Sequence, residues 1–78
     1  MIDPRAAILS LLARRASDAT ICPGEVARAI APDWRGVMPA VHAAIDGLVR
    51  DEVVRLSWKG RPLVTRSGPY RIGRPNDG

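Results

Sequence analysis

Cys22-Pro23-Gly24-Glu25-Val26-Ala27-Arg28-Ala29-Ile30-Ala31-Pro32-Asp33-Trp34-Arg35-Gly36 holds two helix starts and the turn between them. Pro23 stands at a first helical position, where its missing N–H is no loss. Glu25 stands at the third, from which a carboxylate can reach back to the amide of the cap residue. A short helix through Val26, Ala29 and Ile30 is expected over about residues 23–31. Pro32 disfavours helical geometry at Ala31 and so opens a tight turn holding Asp33 and Trp34. A third helix then starts near Gly36, over about residues 36–51, with Pro39 accommodated only if it lies in the first turn. Val37, Val41, Ala44, Ile45, Leu48 and Val49 recur at the spacing of one buried helical stripe. Two short helices separated by such a turn, the second of them amphipathic, form a helix-turn-helix unit.

Upstream, Asp3-Pro4 is a further helix start. Ile8, Leu9, Leu11 and Leu12 mark its apolar face, and Arg14 and Arg15 suit the negative end of its dipole, giving a first helix over about residues 4–16. Ser17-Asp18-Ala19 reads as a turn, and the β-branched Thr20-Ile21 as a short strand over about residues 20–22. Downstream the apolar period changes to two. Val54, Leu56 and Trp58 alternate with Arg55 and Ser57, and Tyr70 and Ile72 with Arg71, which predicts strands over about residues 53–58 and 69–73. Lys59-Gly60-Arg61-Pro62 and Ser67-Gly68-Pro69 lie between them, and residues 59–68 read as a wing loop too long for a tight hairpin. The expected fold is therefore α+β and mainly helical: a single winged helix-turn-helix domain over residues 1–78, with three helices and a two- or three-stranded antiparallel sheet.

A 78-residue chain buries only ~60% of its unfolded surface and leaves little room for an elaborate active site. With 46% hydrophobic and 26% charged residues it has the balance of a folded domain. No leader pattern opens the sequence and no apolar run approaches the ~20 residues of a membrane span, so a cytoplasmic protein without membrane contact is expected. Cys22 has no second cysteine to pair with, and Cys22 with His42 makes no structural zinc set. Paired carboxylates at a useful spacing and a phosphate-binding glycine loop are both missing, so neither enzymatic activity nor a cofactor is expected. At a helix start, Cys22 is better read as structural than as a nucleophile.

The charge is segregated. Residues 1–52 carry six Arg against seven acidic residues, net −1, whereas residues 53–78 carry five Arg and Lys59 against Asp77, net +5. A basic block on one structural unit is the footprint of an anionic partner, most often nucleic acid phosphate. The stretches Thr20-Ile21-Cys22-Pro23-Gly24-Glu25-Val26-Ala27-Arg28, Pro32-Asp33-Trp34-Arg35, Met38-Pro39, Lys59-Gly60-Arg61-Pro62 and Gly68-Pro69-Tyr70-Arg71 resemble a bacterial family of short uncharacterised winged-helix proteins, a domain of unknown function. The resemblance covers nearly the whole chain. It supports the fold and a bacterial origin, and brings no catalytic residues with it.

In a DNA-binding domain of this shape the third helix enters the major groove and the wing contacts the backbone. The outer face of that helix presents Arg35, Pro39, His42, Ala43, Asp46 and Arg50. Arg35 and Arg50 are candidates for phosphate or guanine, and His42 for a base edge, while the Asp46 carboxylate opposes a DNA backbone. The wing is the better candidate, with Lys59, Arg61 and Arg66 in the loop and Arg55 and Arg71 on one outer face of the strand pair, where Asp51 or Glu52 would otherwise have to offset them. Trp58, at the inward phase of its strand, reads as a core plug, and Trp34 as structural. With no exposed aromatic platform in view, single-stranded nucleic acid is disfavoured. The leading expectation is therefore double-stranded DNA bound through the basic wing, as in a transcriptional regulator. The alternative is a protein-binding or homodimerising module using the small residues Ala40, Ala43, Ala44 and Gly47 of the third helix.

Overall fold

The computed structural model describes residues 3–16, 18–64, 66 and 68–75. Expectations resting on Ser17, Thr65, Ser67 and Asp77 lie outside the described residues. The order is α1 (Pro4–Ala13), β1 (Thr20–Ile21), α2 (Pro23–Ile30), α3 (Trp34–Arg50), β2 (Arg55–Trp58), β3 (Arg61–Leu63) and β4 (Arg71–Gly73). The fold is α+β and mainly helical, with one antiparallel sheet in the order β1-β4-β2-β3. Three helices with this sheet are compatible with a winged-helix arrangement.

Local chemistry sets the helix starts. An Asp3 carboxylate oxygen accepts from the amide of Ala6 at 3.2 Å, and Cys22 Sγ accepts from the amide of Glu25 at 3.3 Å. The carboxylate of Glu25 pairs with Arg15 instead of closing a capping box. The first helix stops at Ala13 rather than near residue 16, with Arg14 as its C-cap. The Leu12 carbonyl, which accepts from the Arg15 amide at 3.1 Å, also accepts from Arg74 at 2.7 Å, and Arg74 donates to the Arg15 oxygen just past the helix at 3.3 Å. Ala7, Ile8 and Leu12 are buried, but Leu9, a helical step of about 100° from Ile8, turns outward and is 42% exposed.

The third helix begins two residues before Gly36, at Trp34, with Asp33 at its cap position. Pro39 therefore lies inside the helix rather than in its first turn, and its missing N–H leaves the Arg35 carbonyl, at an exposed residue, without its helical donor. The expected stripe is realised: Val41, Ile45 and Leu48 are fully buried, and Val37, Ala44 and Val49 pack half-buried beside them. The helix closes in a Schellman motif, in which Val53 donates to the Leu48 oxygen at 2.9 Å and Glu52 to the Val49 oxygen at 3.0 Å. Glu52 holds the left-handed position of this motif at φ 60°, a site that favours glycine.

The sheet has four strands, one more than the largest number expected. The sequence predicts loop over residues 59–68, yet Arg61–Leu63 is a strand, and Trp58 opposite Arg61 closes a tight two-residue hairpin. Lys59 and Gly60 at its tip have φ of 51° and 81°, the left-handed pair that a type I′ turn requires. Pro62 hid the strand, because proline cannot donate to an interior ladder. It is tolerated here because β3 is the edge of the sheet. On the inner face Ile21 faces Ile72 and Leu56 faces both Ile72 and Leu63, and Ile21, Leu56 and Ile72 are buried against the helices. The outer face carries Thr20, Arg55, Ser57, Pro62, Arg71 and Gly73.

Replacing Glu52 with Gly relieves the left-handed strain and raises stability by about 0.5–1 kcal/mol, read as a rise of roughly 2–6 °C in Tm. Ile72→Ala opens a cavity at the centre of the sheet. It lowers the unfolding free energy by about 3–4 kcal/mol in a denaturant titration, a large share of what a domain this small possesses.

Candidate nucleic-acid interface

Of the six cations in the C-terminal third, three serve the fold. Arg71 donates to Thr20 Oγ1 at 2.6 Å and to the Thr20 carbonyl at 3.1 Å. Arg74 holds the end of α1. Arg66 meets Asp46 through two parallel bonds, at 2.9 and 3.0 Å. Arg55 and Arg71 do share the outer face, at diagonal positions of the β2–β4 ladder. Neither is offset by Asp51 or Glu52: Thr20 engages Arg71, and Asp51 lies 3.6 Å from Arg5. Among the described residues, Arg50, Arg55, Lys59 and Arg61 make neither an ion pair nor a side-chain hydrogen bond.

The outer face of α3 is occupied by the chain's own return path. Arg66 and Tyr70 are each anchored on this face, one helical turn apart, Arg66 on Asp46 and Tyr70 on His42. His42 Nδ1 lies 2.6 Å from the Tyr70 hydroxyl, and the two rings pack tilted at a centroid separation of 5.8 Å. His42 is therefore half-buried and engaged, not free to meet a base edge. Burial, then the nearby Arg66 cation, hold its pKa below 6.5 against an opposing pull from Asp46. Burial pushes the Tyr70 hydroxyl up to about 12. Both shifts favour a tyrosine that keeps its proton and donates it to a neutral imidazole. The hydrogen bonds from Arg66 hold the Asp46 carboxyl below its usual range. Asp46 thus stays ionised but paired, and its repulsion of a DNA backbone is largely cancelled.

Arg35 lies against the Trp34 ring, 4.8 Å from its centroid, as does Arg28 at 4.9 Å. Trp34 is half-buried, as its structural reading implied, and it gathers two cations at the turn between α2 and α3. Arg28 was not among the expected contacts. Its place in the last turn of α2, six residues before Trp34, was the available signal. Between the second half of α3 and the hairpin runs a groove of about 510 Å³ lined by Asp46, Val49, Arg50, Leu56, Val64 and Arg66, with Val64 88% exposed at its rim. Trp58 is not the core plug its alternation suggests. Leu56 is the last buried residue of β2, and Trp58 lies beyond the core, 38% exposed beside the hairpin tip. No group of three or more His, Cys, Asp or Glu among the described residues is placed to hold a metal ion, and no helix among them is long and apolar enough to cross a membrane.

As the pH falls below 6.5, the unfolded chain takes up a proton at His42 before the folded one does, so stability declines toward the lower folded pKa. Above pH 10.0 the unfolded tyrosine loses its proton first, and stability declines again until about pH 12. Thermal melts across both ranges should show the acid decline flattened in His42→Gln and the alkaline decline flattened in Tyr70→Phe. Slopes unchanged in either variant would refute the assignment.

No curated protein matches the chain. A family model does, over residues 3–75, and with nearly the whole chain matched the protein belongs to the family described as "Protein of unknown function (DUF3253)".

Proposed function

We propose that this chain is a winged helix-turn-helix DNA-binding domain of a bacterial cytoplasmic protein, working by binding rather than catalysis. Its main contact with phosphate is the β2–β3 hairpin. The observation that carries this reading is the hairpin tip. Lys59 sits at φ 51°, where Asn or Gly is the comfortable choice, and Arg61 follows two residues later, with no ion pair for either among the described residues. Left-handed geometry alone does not single out a site, since Glu52 shows it while closing α3; its coincidence with two cations at an exposed tip supports a functional role. Arg55 adds a cation on the outer face of the sheet, opposite to the face of Arg61, and Arg50 lines the groove beside α3.

The contact set is narrower than the charge count suggested. Arg71 is committed to Thr20, and Arg66 is available only by leaving Asp46, a solvent-exposed pair that holds weakly. The covered middle of α3 supports backbone contact over base reading. The self-association reading is weakened at Gly47, where an added Cβ would lie 3.3 Å from the Arg5 guanidinium. The small-residue surface of α3 is thereby interrupted, and only Ala40 and Ala43 remain exposed.

Titration of the protein against random-sequence duplex should give an affinity that falls with salt at a log–log slope of roughly −3, as three or four phosphate contacts require. Lys59→Ala with Arg61→Ala should reduce that slope by about two, whereas Arg66→Ala changes it by less than one. Absence of binding at low salt, or binding indifferent to the double substitution, would sink the proposal.

A further inference from the structure

Trp58 ends β2 immediately before the turn, and its ladder partner is Arg61. Directly opposed residues of an antiparallel pair have Cβ atoms about 5 Å apart, so Trp58 and Arg61 leave the same face of the hairpin within one side chain's reach of each other, with Lys59 next in the chain. No cation lies over the Trp58 ring among the described residues, whereas the ring of Trp34 carries both Arg28 and Arg35. The two aromatic residues are thus in different states: one is covered by the protein's own cations, the other is 38% exposed next to Lys59 and opposite Arg61, which have no ion-pair partner among the described residues.

The turn beneath Trp58 is closed by only two residues, both held at positive φ, so the ring projects from a stiff support and gives up little freedom when something stacks on it. A ligand matched to this arrangement offers a flat π-face and, within one side chain's reach of it, a negative charge. A nucleotide does so, with its base on the indole and its phosphate against Lys59 or Arg61. Inside a continuous duplex both faces of every base are covered by its neighbours. A face becomes available where a base is unpaired.

We propose that Trp58 is a base-stacking residue and that the hairpin tip selects DNA containing unpaired bases over continuous duplex. This rests on the DNA-binding reading above and names the form of DNA that reading leaves open.

The test is an anisotropy titration at one salt concentration with two labelled DNAs, a continuous duplex and the same duplex with a central single-stranded gap. Wild-type protein should bind the gapped DNA about tenfold more tightly. Trp58→Ala should bind both alike, with its affinity for the continuous duplex unchanged. Trp58→Phe should keep most of the preference, since phenylalanine also stacks, and Lys59→Ala should weaken both complexes. Tryptophan emission gives a readout independent of the alanine variant's folding: gapped DNA should quench the wild type and leave Trp58→Phe, which retains only Trp34, unquenched. Equal wild-type affinity for the two DNAs, a gap preference that survives Trp58→Ala, or equal quenching in Trp58→Phe overturns the proposal while leaving DNA binding intact. Failure to bind either DNA removes the DNA reading and this inference together.

Discussion

Ile72 faces Ile21 on one side and Leu56 on the other, and it is fully buried. Through it the last strand of the chain becomes the centre of the sheet. The two-residue β1 has no other strand to pair with, and a two-stranded hairpin alone is marginal in water. The sheet therefore exists only once β4 is in place, and with it the packing of α1, α2 and α3 on the sheet's inner face. The residues flanking Ile72 reinforce this insertion. Arg71 clasps Thr20 of β1, and Arg74 donates to the Leu12 carbonyl in the last turn of α1. Gly73 fits where a Cβ would lie 3.3 Å from the Thr20 methyl. Much of the charge that reads in sequence as a nucleic-acid footprint is thus spent joining the end of the chain to its beginning.

The same constraint shapes the surface available to a partner. To travel from the edge strand β3 to the sheet's centre, the chain must pass α3, and it does so by attaching to His42 and Asp46. The face that a recognition helix would offer to bases is met first by the protein's own Arg66 and Tyr70. What remains open is the end of that helix at Arg50, the groove beside it, and the hairpin beyond. A surface of this kind suits phosphate tracking better than the side-by-side base contacts of a major-groove reader.

The parts of the fold legible in the sequence are those set by short-range chemistry. Asp3-Pro4 and Cys22-Pro23 mark helix starts because capping and proline geometry act within one turn. The stripe from Val37 to Val49 marks α3 because a helix repeats its environment every three or four residues. What was not legible depends on where the chain returns. Pro62 breaks the strand pattern unless one knows that β3 is an edge. The alternation of Val54, Leu56 and Trp58 gives the correct face but not the point at which the core ends, so Trp58 read as buried. The partners of Arg66, Arg71 and Arg74 lie 20, 51 and 62 residues away, beyond any local rule.

Lys59 is the residue the fold explains least. A type I′ turn closed by Asn-Gly would be about as tight and less strained, and a neutral residue there would spare Arg61 a like charge nearby. Other costly local choices in this chain have a visible structural setting, as where Glu52 at φ 60° closes the Schellman motif of α3. The proline within α3 sits at an exposed position, and the half-buried Trp34 ring is covered by two guanidinium groups. At the hairpin tip no ion pair meets the charge of Lys59 or Arg61 among the described residues. Strain, charge without a partner among the described residues and an exposed indole coincide within four consecutive residues of the β2–β3 hairpin. The approach of a polyanion with an accessible aromatic face would meet the charge and the indole together, while the left-handed φ of Lys59 belongs to the tight turn that holds them in place.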